Sequence, residues 1–289
     1  MNAHRPPAPN RAAPSRVWFI TGSSSGFGRA IAERALAVGD AVVATARTVE
    51  ALRDLATAAP DRVTPLRLDV TDGGEVTRAV RDALARHGRI DVLVNNAGHG
   101  FVGAAEETPD AELREMVEVH LHGPVALTRA VLPHMRARRA GAIVQMSSMG
   151  GQVSWPGFSA YCTAKFALEG FSEGLAAEVA PFGIKVLIVE PGAFRTGFAG
   201  PPLRFGTPIP DYRRVLDPVR RTARDLHGAQ PGDPAKAAAA IAAALDSDHT
   251  PLRLPLGVDA HDAITGRLAE RRAELAAWRA TSTATDFGP

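Results

Sequence analysis

The chain has 289 residues, of which 45% are hydrophobic, and its 33 basic and 31 acidic side chains leave a formal net charge of +2. That apolar share excludes a disordered chain, the length suits one large α/β domain or two small ones, and charges scattered rather than blocked exclude a nucleic-acid footprint. A single cysteine, Cys162, excludes an internal disulfide framework and fits a reducing, cytoplasmic setting.

Residues 1–15 carry basic side chains and prolines but no apolar run, so they read as a disordered tail rather than a signal peptide. From residue 16 onward the pattern predicts a single domain to residue 289. VWFI (17–20) is a short apolar strand, followed by a glycine-rich turn and a helix with Ile31, Ala35 and Val38 on one face and Gly39 at its end. AVVATA (41–46) and VTPLRLDV (63–70) read as the next strands, with a short helix marked by Leu52 and Leu55 between them. A helix around 72–86, strand IDVLVNN (90–96), a long helix near 110–137 and strand AIVQMS (142–147) continue the alternation. A helix near 160–179 and strand IKVLIVE (184–190) follow.

Residues 197–233 interrupt this rhythm with six prolines among Phe198, Phe205 and Tyr212, as expected of a substrate lid inserted after a strand end. A helix at 233–246, a last strand in PLRLPLG (251–257) and a terminal helix carrying Ile264, Leu268, Leu275 and Trp278 complete the chain. Near-continuous apolar strands joined by helices predict a Rossmann-like, doubly wound parallel sheet of about seven strands with helices on both faces. No stretch reaches the roughly 18 apolar residues of a membrane span.

TGSSSGFG (21–28) joins the first strand to the first helix. Gly22, Gly26 and Gly28 are placed for a tight turn, a close approach to a pyrophosphate and close helix packing. The same stretch formally matches the G-x-S-x-G elbow of a hydrolase, with Ser24 as nucleophile and His249 or His261 as a later partner. That elbow normally follows several strands rather than the first. About 20 residues beyond the glycines, where an Asp or Glu holds the 2′-hydroxyl of NAD, the chain reads Thr45-Ala46-Arg47-Thr48. The missing acid, together with the forked donors of Arg47, favours NADP(H) over NAD(H).

Three further elements follow in order: NNAG (95–98), Ser147-Ser148, and Tyr161-Cys162-Thr163-Ala164-Lys165 at the start of a helix. Tyr161 and Lys165 are four apart and share a helical face. Together with TGSSSGFG, Asp69, and Pro191-Gly192 before Thr196, these elements resemble the short-chain dehydrogenase/reductase family over residues 16–257. The segment from GDPAKAA to PLRLPLG is similar to bacterial members that resemble 17β-hydroxysteroid dehydrogenases, a likeness that does not establish a steroid substrate.

The resemblance implies an oxidoreductase that interconverts a ketone or aldehyde with an alcohol. Tyr161 would be the general acid or base, and Lys165 would lower the phenol's pKa and hold the nicotinamide ribose. Ser148 would bind the substrate oxygen. Shifting a phenol from about 10 to near 7 takes about 4 kcal/mol of differential stabilisation. Lysine is scarce here, with only Lys165, Lys185 and Lys236 beside thirty arginines. The ribose-side role calls for a compact ammonium.

The resemblance further places Gly22, Ser23, Ser25, Gly26, Phe27, Gly28 and Arg47 on the cofactor. Asp69 and Val70 would meet the adenine, and Asn95, Ala97 and Gly98 its ribose side. Pro191, Gly192, Phe194 and Thr196 would meet the nicotinamide. One departure stands out: His120 occupies the position of the family's usual asparagine. Three readings stay open there, namely a tolerated exchange, an altered proton relay with a titrating imidazole, and changed activity.

His99, Met149, Trp155, Phe198 and Phe205 are candidates to line an apolar pocket for a small carbonyl or alcohol substrate. Arg213, Arg214, Arg220, Arg221 and Arg224 read as a solvated helix face. Cys162 reads as packing. No Cys/His grouping has metal-ligand spacing, so no metal is expected, and the scattered charges and lack of an apolar span leave no nucleic-acid or membrane partner expected. A homodimer or homotetramer is the family's usual assembly. A non-catalytic cofactor-binding scaffold on the same fold is the competing reading.

Overall fold

The computed structural model describes residues 16–200 and 202–287; the expected tail at 1–15 lies outside them. Strand β1 (Val17–Ile20) leads through the glycine turn into α1 (Gly26–Ala37), and then come β2 (Ala41–Ala46), α2 (Arg53–Ala58) and β3 (Val63–Arg67). After α3 (Gly73–His87) and β4 (Val92–Asn95) come a two-residue β5 (Phe101–Val102) and α4 (Asp110–Val117). A π-helical turn, Glu118–His122, joins α4 to α5 (Gly123–Arg138). β6 (Gly141–Met146), α6 (Ser159–Val179) and β7 (Ile184–Pro191) follow. The lid region holds β8 (Arg204–Phe205) and α7 (Arg213–Asp225), and α8 (Pro234–Asp246), β9 (Arg253–Leu256), α9 (Val258–Ala277) and α10 (Arg279–Thr283) complete the described chain.

The seven long strands form one parallel sheet in the order β3-β2-β1-β4-β6-β7-β9. Strands β1 and β2 are wholly buried, yet their side chains still divide between two cores. Ile20, Val42, Val94 and Val144 pack with Ile31 and Ala35 of α1 and Ile241 of α8. Phe19, Val43, Leu93 and Ile143 pack on the other face with Val80 of α3, Val131 of α5 and Leu175 of α6. Helices on both faces explain why the strands read as continuous apolar runs. The chain order reverses between β1 and β4, which opens a crevice at the strands' C-terminal ends, where open α/β sheets bind ligands.

Several expectations change. Val38 ends α1 as its cap and is exposed instead of packing with Ile31 and Ala35. The strand expected at 63–70 stops at Arg67, because Leu68–Thr71 lead into the cap of α3, where Asp72 accepts from the Glu75 amide at 2.9 Å. The long helix near 110–137 contains the π turn. The parallel pair of β5 and β8 was not expected, being too short to show periodicity. In α9, Ile264 is buried but Leu268 and Leu275 are exposed, as is Trp278 just beyond.

Gly28 marks the tightest packing at the start of α1: a Cβ there would fall on the Gly22 carbonyl and lie 2.5 Å from Asn96 Nδ2. Gly170, on the exposed side of α6, has no neighbouring atom within 4 Å of such a Cβ. Gly28→Ala is expected to lower stability by about 1–3 kcal/mol through overpacking. Gly170→Ala is expected to raise it by about 0.5–1 kcal/mol through lost chain entropy and better helix propensity. Urea midpoints of the two variants check both signs.

Candidate active site

The crevice is a cavity of about 1030 Å³, walled on one side by strand ends and on the other by the lid. The glycine turn forms its floor. Gly22 and Gly26 have φ of 66° and 57°, the left-handed region that glycine enters freely. Gly22, Ser25, Gly26 and Phe27 line the cavity. Gly28 does not; it serves the helix packing expected of the third glycine. Ser23 is also turned away, since its hydroxyl is fully buried and donates to the Ile20 carbonyl at 2.9 Å. Ser24 lines the cavity, but His249 and His261 do not, and both are exposed. The site therefore brings neither expected histidine to Ser24, as a hydrolase would need.

Arg47 is exposed at the rim, with no acidic side chain at the adjoining end of β2. Asp69 lies across from it and accepts from the Thr71 amide and hydroxyl at 3.0 and 2.7 Å. Burial pushes the Asp69 carboxyl up, but those bonds and the Arg47 and Arg67 charges outweigh it and hold it below the usual carboxylate range. Val70, Ala97 and Gly98 line the cavity.

Asn95 corrects the sequence reading. As the last residue of β4 its side chain points into the molecule and donates to Gln145 Oε1 at 2.9 Å. Its neighbour Asn96 lines the cavity instead and donates to the carbonyls of Thr21 and Gly22 at 2.8 and 3.2 Å. Strand alternation sends two successive asparagines to opposite sides, and the doublet alone does not say which faces the cleft.

Pro191, Gly192, Phe194 and Thr196 line the opposite end. The Phe194 ring stands 5.1 Å from Phe27, and the Thr196 hydroxyl accepts from the Phe198 amide at 3.3 Å.

Ser148, Tyr161 and Lys165 come together at the centre. The Ser148 hydroxyl accepts from the Gly150 amide at 3.0 Å and hydrogen-bonds Tyr161. Lys165 Nζ lies 5.7 Å from the Tyr161 ring centroid and donates to the Met146 carbonyl at 2.7 Å. Burial pushes the Lys165 ammonium down to about 7, against the opposing pull of Glu169. Burial raises the Tyr161 phenol above its ordinary range, and the Ser148 bond opposes the rise. The phenol thus has Ser148 as its hydrogen-bond partner, while the Lys165 ammonium donates to a backbone carbonyl beside the ring. A tyrosine in this environment holds its proton at neutral pH.

His120 sits in the π turn, 2% exposed, its ring edge-on to Tyr161 at 5.7 Å. It fills the space above Gly98, where any Cβ would fall on Cε1 of its ring. Nε2 lies 2.9 Å from the His99 carbonyl oxygen. Burial, then the charges of Lys165 and His99, hold its pKa well below the ordinary imidazole value. The ring is neutral and acts as a wedge between the π turn and the NNAG loop. A titrating relay at this position does not fit that environment.

Met149, Trp155 and Phe198 line the apolar half of the cavity as expected, joined by Leu203, Val219 and Leu226. Phe205 does not; it lies under the Arg224 guanidinium, 4.7 Å from its centroid. Nor is Arg220 solvated: it is 4% exposed and bonds Glu107 at 2.5 Å. The apolar spacing of α7 at Leu216, Val219 and Ala223 was the signal that one face of this helix turns inward. Cys162 is buried, and its sulfur faces the Val153 carbonyl at 3.6 Å. His99 lines the cavity with Nε2 3.4 Å from Glu112. Glu112 and Glu115 also approach His99, but Arg204 binds both carboxylates, at 3.1 and 2.6 Å, and takes up their charge.

The family model for short chain dehydrogenases matches residues 16–202. An oxidoreductase called BOA17 from Botryotinia fuckeliana is 42% identical over 273 residues, covering 94% of this chain and 99% of that protein. The crystal structure of a short-chain dehydrogenase from Streptomyces avermitilis superposes with a TM-score of 0.90 at 57% identity, covering 94% of this chain and all of that one. Solved structures of this fold hold either cofactor form. One from Burkholderia cenocepacia is in complex with NADP (27% identity, TM-score 0.72, 92% and 98% covered). One from Burkholderia phymatum is in complex with NAD (24% identity, TM-score 0.78, 91% and 95% covered).

Because His120 is neutral and wedged, exchanging it for the smaller amide is expected to change the brace rather than the chemistry. His120→Asn should keep turnover within about tenfold of wild type, as losing one neutral hydrogen bond costs about 0.5–1.5 kcal/mol. Steady-state kinetics beside a circular dichroism spectrum checks this, and a folded variant reduced by more than about a hundredfold (about 2.7 kcal/mol) contradicts it.

Proposed function

Because the chain belongs to the short chain dehydrogenase family, we propose that it is an NADP(H)-dependent oxidoreductase that interconverts a ketone or aldehyde with the corresponding alcohol. The observation that carries this reading is the convergence of Ser148, Tyr161 and Lys165 at the wall of a cleft whose floor is the left-handed glycine turn. A dinucleotide fits that floor. Gly22 and Gly26 bring backbone close to a pyrophosphate, and a side chain at Gly22 would stand 3.1 Å from Ala97 Cα. In this reading Asp69 would meet the adenine end and Thr196 the nicotinamide end, and both line the cavity.

A bound reduced nicotinamide supplies the hydride. The chain's own residues do the rest. The Ser148 hydroxyl holds the substrate oxygen beside Tyr161, and the phenol Oη passes its proton to that oxygen as negative charge develops there. A phenol that burial keeps protonated at neutral pH suits the reducing direction. Lys165, oriented by the Met146 carbonyl, would place a positive charge near the phenolate left behind and would hold a ribose hydroxyl of the bound cofactor. Leu203, Val219 and Leu226 on the lid side exclude water and favour an apolar substrate body.

The preference for NADP(H) rests on Arg47 and on the absence of an acid at the end of β2. One charge-assisted hydrogen bond to a 2′-phosphate contributes about 1.5–3 kcal/mol, roughly 10- to 150-fold in affinity. Arg47→Ala is therefore expected to weaken NADPH by at least about tenfold while leaving NADH nearly unchanged, read by fluorescence titration. Equal losses for the two cofactors would refute the assignment. Tyr161→Phe should still bind NADPH with wild-type affinity and lose nearly all turnover on a carbonyl panel. A wild type that binds NADPH but reduces nothing across that panel would instead indicate a non-catalytic cofactor-binding scaffold.

A further inference from the structure

One helical turn beyond Lys165, a second buried polar cluster lies outside the chemistry described so far. Glu169 shares the inner face of α6 with Lys165, and Glu190 is the penultimate residue of β7, directly before Pro191-Gly192. Their side chains are 5% and 1% exposed. Shared neighbours bring the two carboxyls side by side, and Glu169 Oε1 is buried without a hydrogen-bond partner. Gln152 Nε2 donates to both, at 3.2 Å to Glu169 and 3.1 Å to Glu190. Arg253 of β9 approaches both through Nε, at 3.0 and 3.7 Å, while its Nη2 binds Glu173 at 2.6 Å. From α9, Arg271 donates to the Gln152 carbonyl at 3.0 Å.

Two carboxyls side by side at this depth resist carrying two charges at once, even with Arg253 beside them, so the pair holds one proton below neutrality and loses it as pH rises. Burial and the neighbouring Glu169 push the Glu190 carboxyl up to about 7. The cluster also touches each segment of the site: Gln152 follows Ser148, Glu169 follows Lys165, and Glu190 precedes the cofactor-side turn. Around Lys165 itself stand Tyr161, the neutral His120 ring and Glu169. Glu169 therefore supplies the negative charge nearest the buried ammonium.

We propose that Glu169 and Glu190 are positioning residues that share one proton and hold Lys165 in its charged form, so that the carboxyl pair sets the alkaline limit of the reaction. This rests on the oxidoreductase reading of the site. As pH rises through neutrality the pair gives up its shared proton and its charge goes from −1 to −2. The second charge strengthens the hold on the Lys165 proton as solvent begins to compete for it. With Glu190→Gln the pair stays at −1, and Lys165 deprotonates at lower pH. Glu169→Gln removes the nearer carboxylate and has the larger effect.

The scarcity of lysine makes this measurable without substrate or cofactor. Lysine labelled with ¹³C in its side chain gives signals from Lys165, Lys185 and Lys236 alone, assigned with Lys185→Arg and Lys236→Arg. Glu190→Gln is expected to lower the Lys165 titration midpoint by about one pH unit, and Glu169→Gln by more. An unmoved midpoint in the folded Glu190→Gln protein overturns the proposal.

The unaltered protein provides a second reading that no folding defect can obscure. Infrared titration should show the carbonyl stretch of a protonated carboxylic acid fading around neutral pH, and absence of that band overturns the shared proton. Where turnover is measurable, the alkaline limb of kcat/KM follows the Lys165 midpoint. Lack of turnover with the lysine shift intact counts against the oxidoreductase reading and leaves the carboxyl pair standing.

Discussion

A lone ammonium in the interior is the constraint around which the site is arranged. Lys165 is 6% exposed between β6 and α6, where desolvating an unpaired charge costs several kcal/mol. The Met146 carbonyl at 2.7 Å and the charge of Glu169 one turn away offset that cost. Both partners come from elements the sheet topology already sets side by side: Met146 ends β6, and α6 returns the chain to β7, the neighbour of β6. A planar guanidinium would need more room and more acceptors than one carbonyl and one carboxyl provide. Lysine at this position, in a chain that uses arginine nearly everywhere else, is consistent with that geometry.

The cleft beside it depends on close backbone contact more than on charge. Gly28 lies against the Gly22 carbonyl, and Asn96 ties that turn to the end of β4. These contacts aim the start of α1 into the crevice, where its unpaired amides favour an anionic group. His120 extends the same close packing on the other side by filling the space above Gly98. Acidic residues after β5 hold the segment that walls the far side of the cavity: Glu107 takes the buried Arg220 and the Ile209 amide, and Glu112 and Glu115 take Arg204. A buried ion pair satisfied on several sides adds orientation more surely than stability, because desolvation offsets much of its attraction. Leu203, Val219 and Leu226 of that segment line the same cavity as Tyr161.

The parallel sheet and its two helical layers were legible in the sequence, as was the set Ser148, Tyr161 and Lys165 that the fold brings to one cavity. Periodicity reports burial on one or both faces, and glycines and short motifs report local backbone geometry; both are properties of neighbouring residues. What depends on distant segments was not legible. Which of Asn95 and Asn96 faces the cleft, that Ser23 is tied to the Ile20 carbonyl, that Phe205 lies under Arg224, and that Arg220 pairs with Glu107 across 113 residues follow from how elements meet. The same holds for the charge environment of Tyr161 and Lys165. The sequence places Lys165 four residues from Tyr161, but only the packed structure turns its ammonium to Met146 and sets the carboxyls of Glu169 and Glu190 against each other. Desolvation and charge coupling arise from three-dimensional proximity, which residue order alone does not encode.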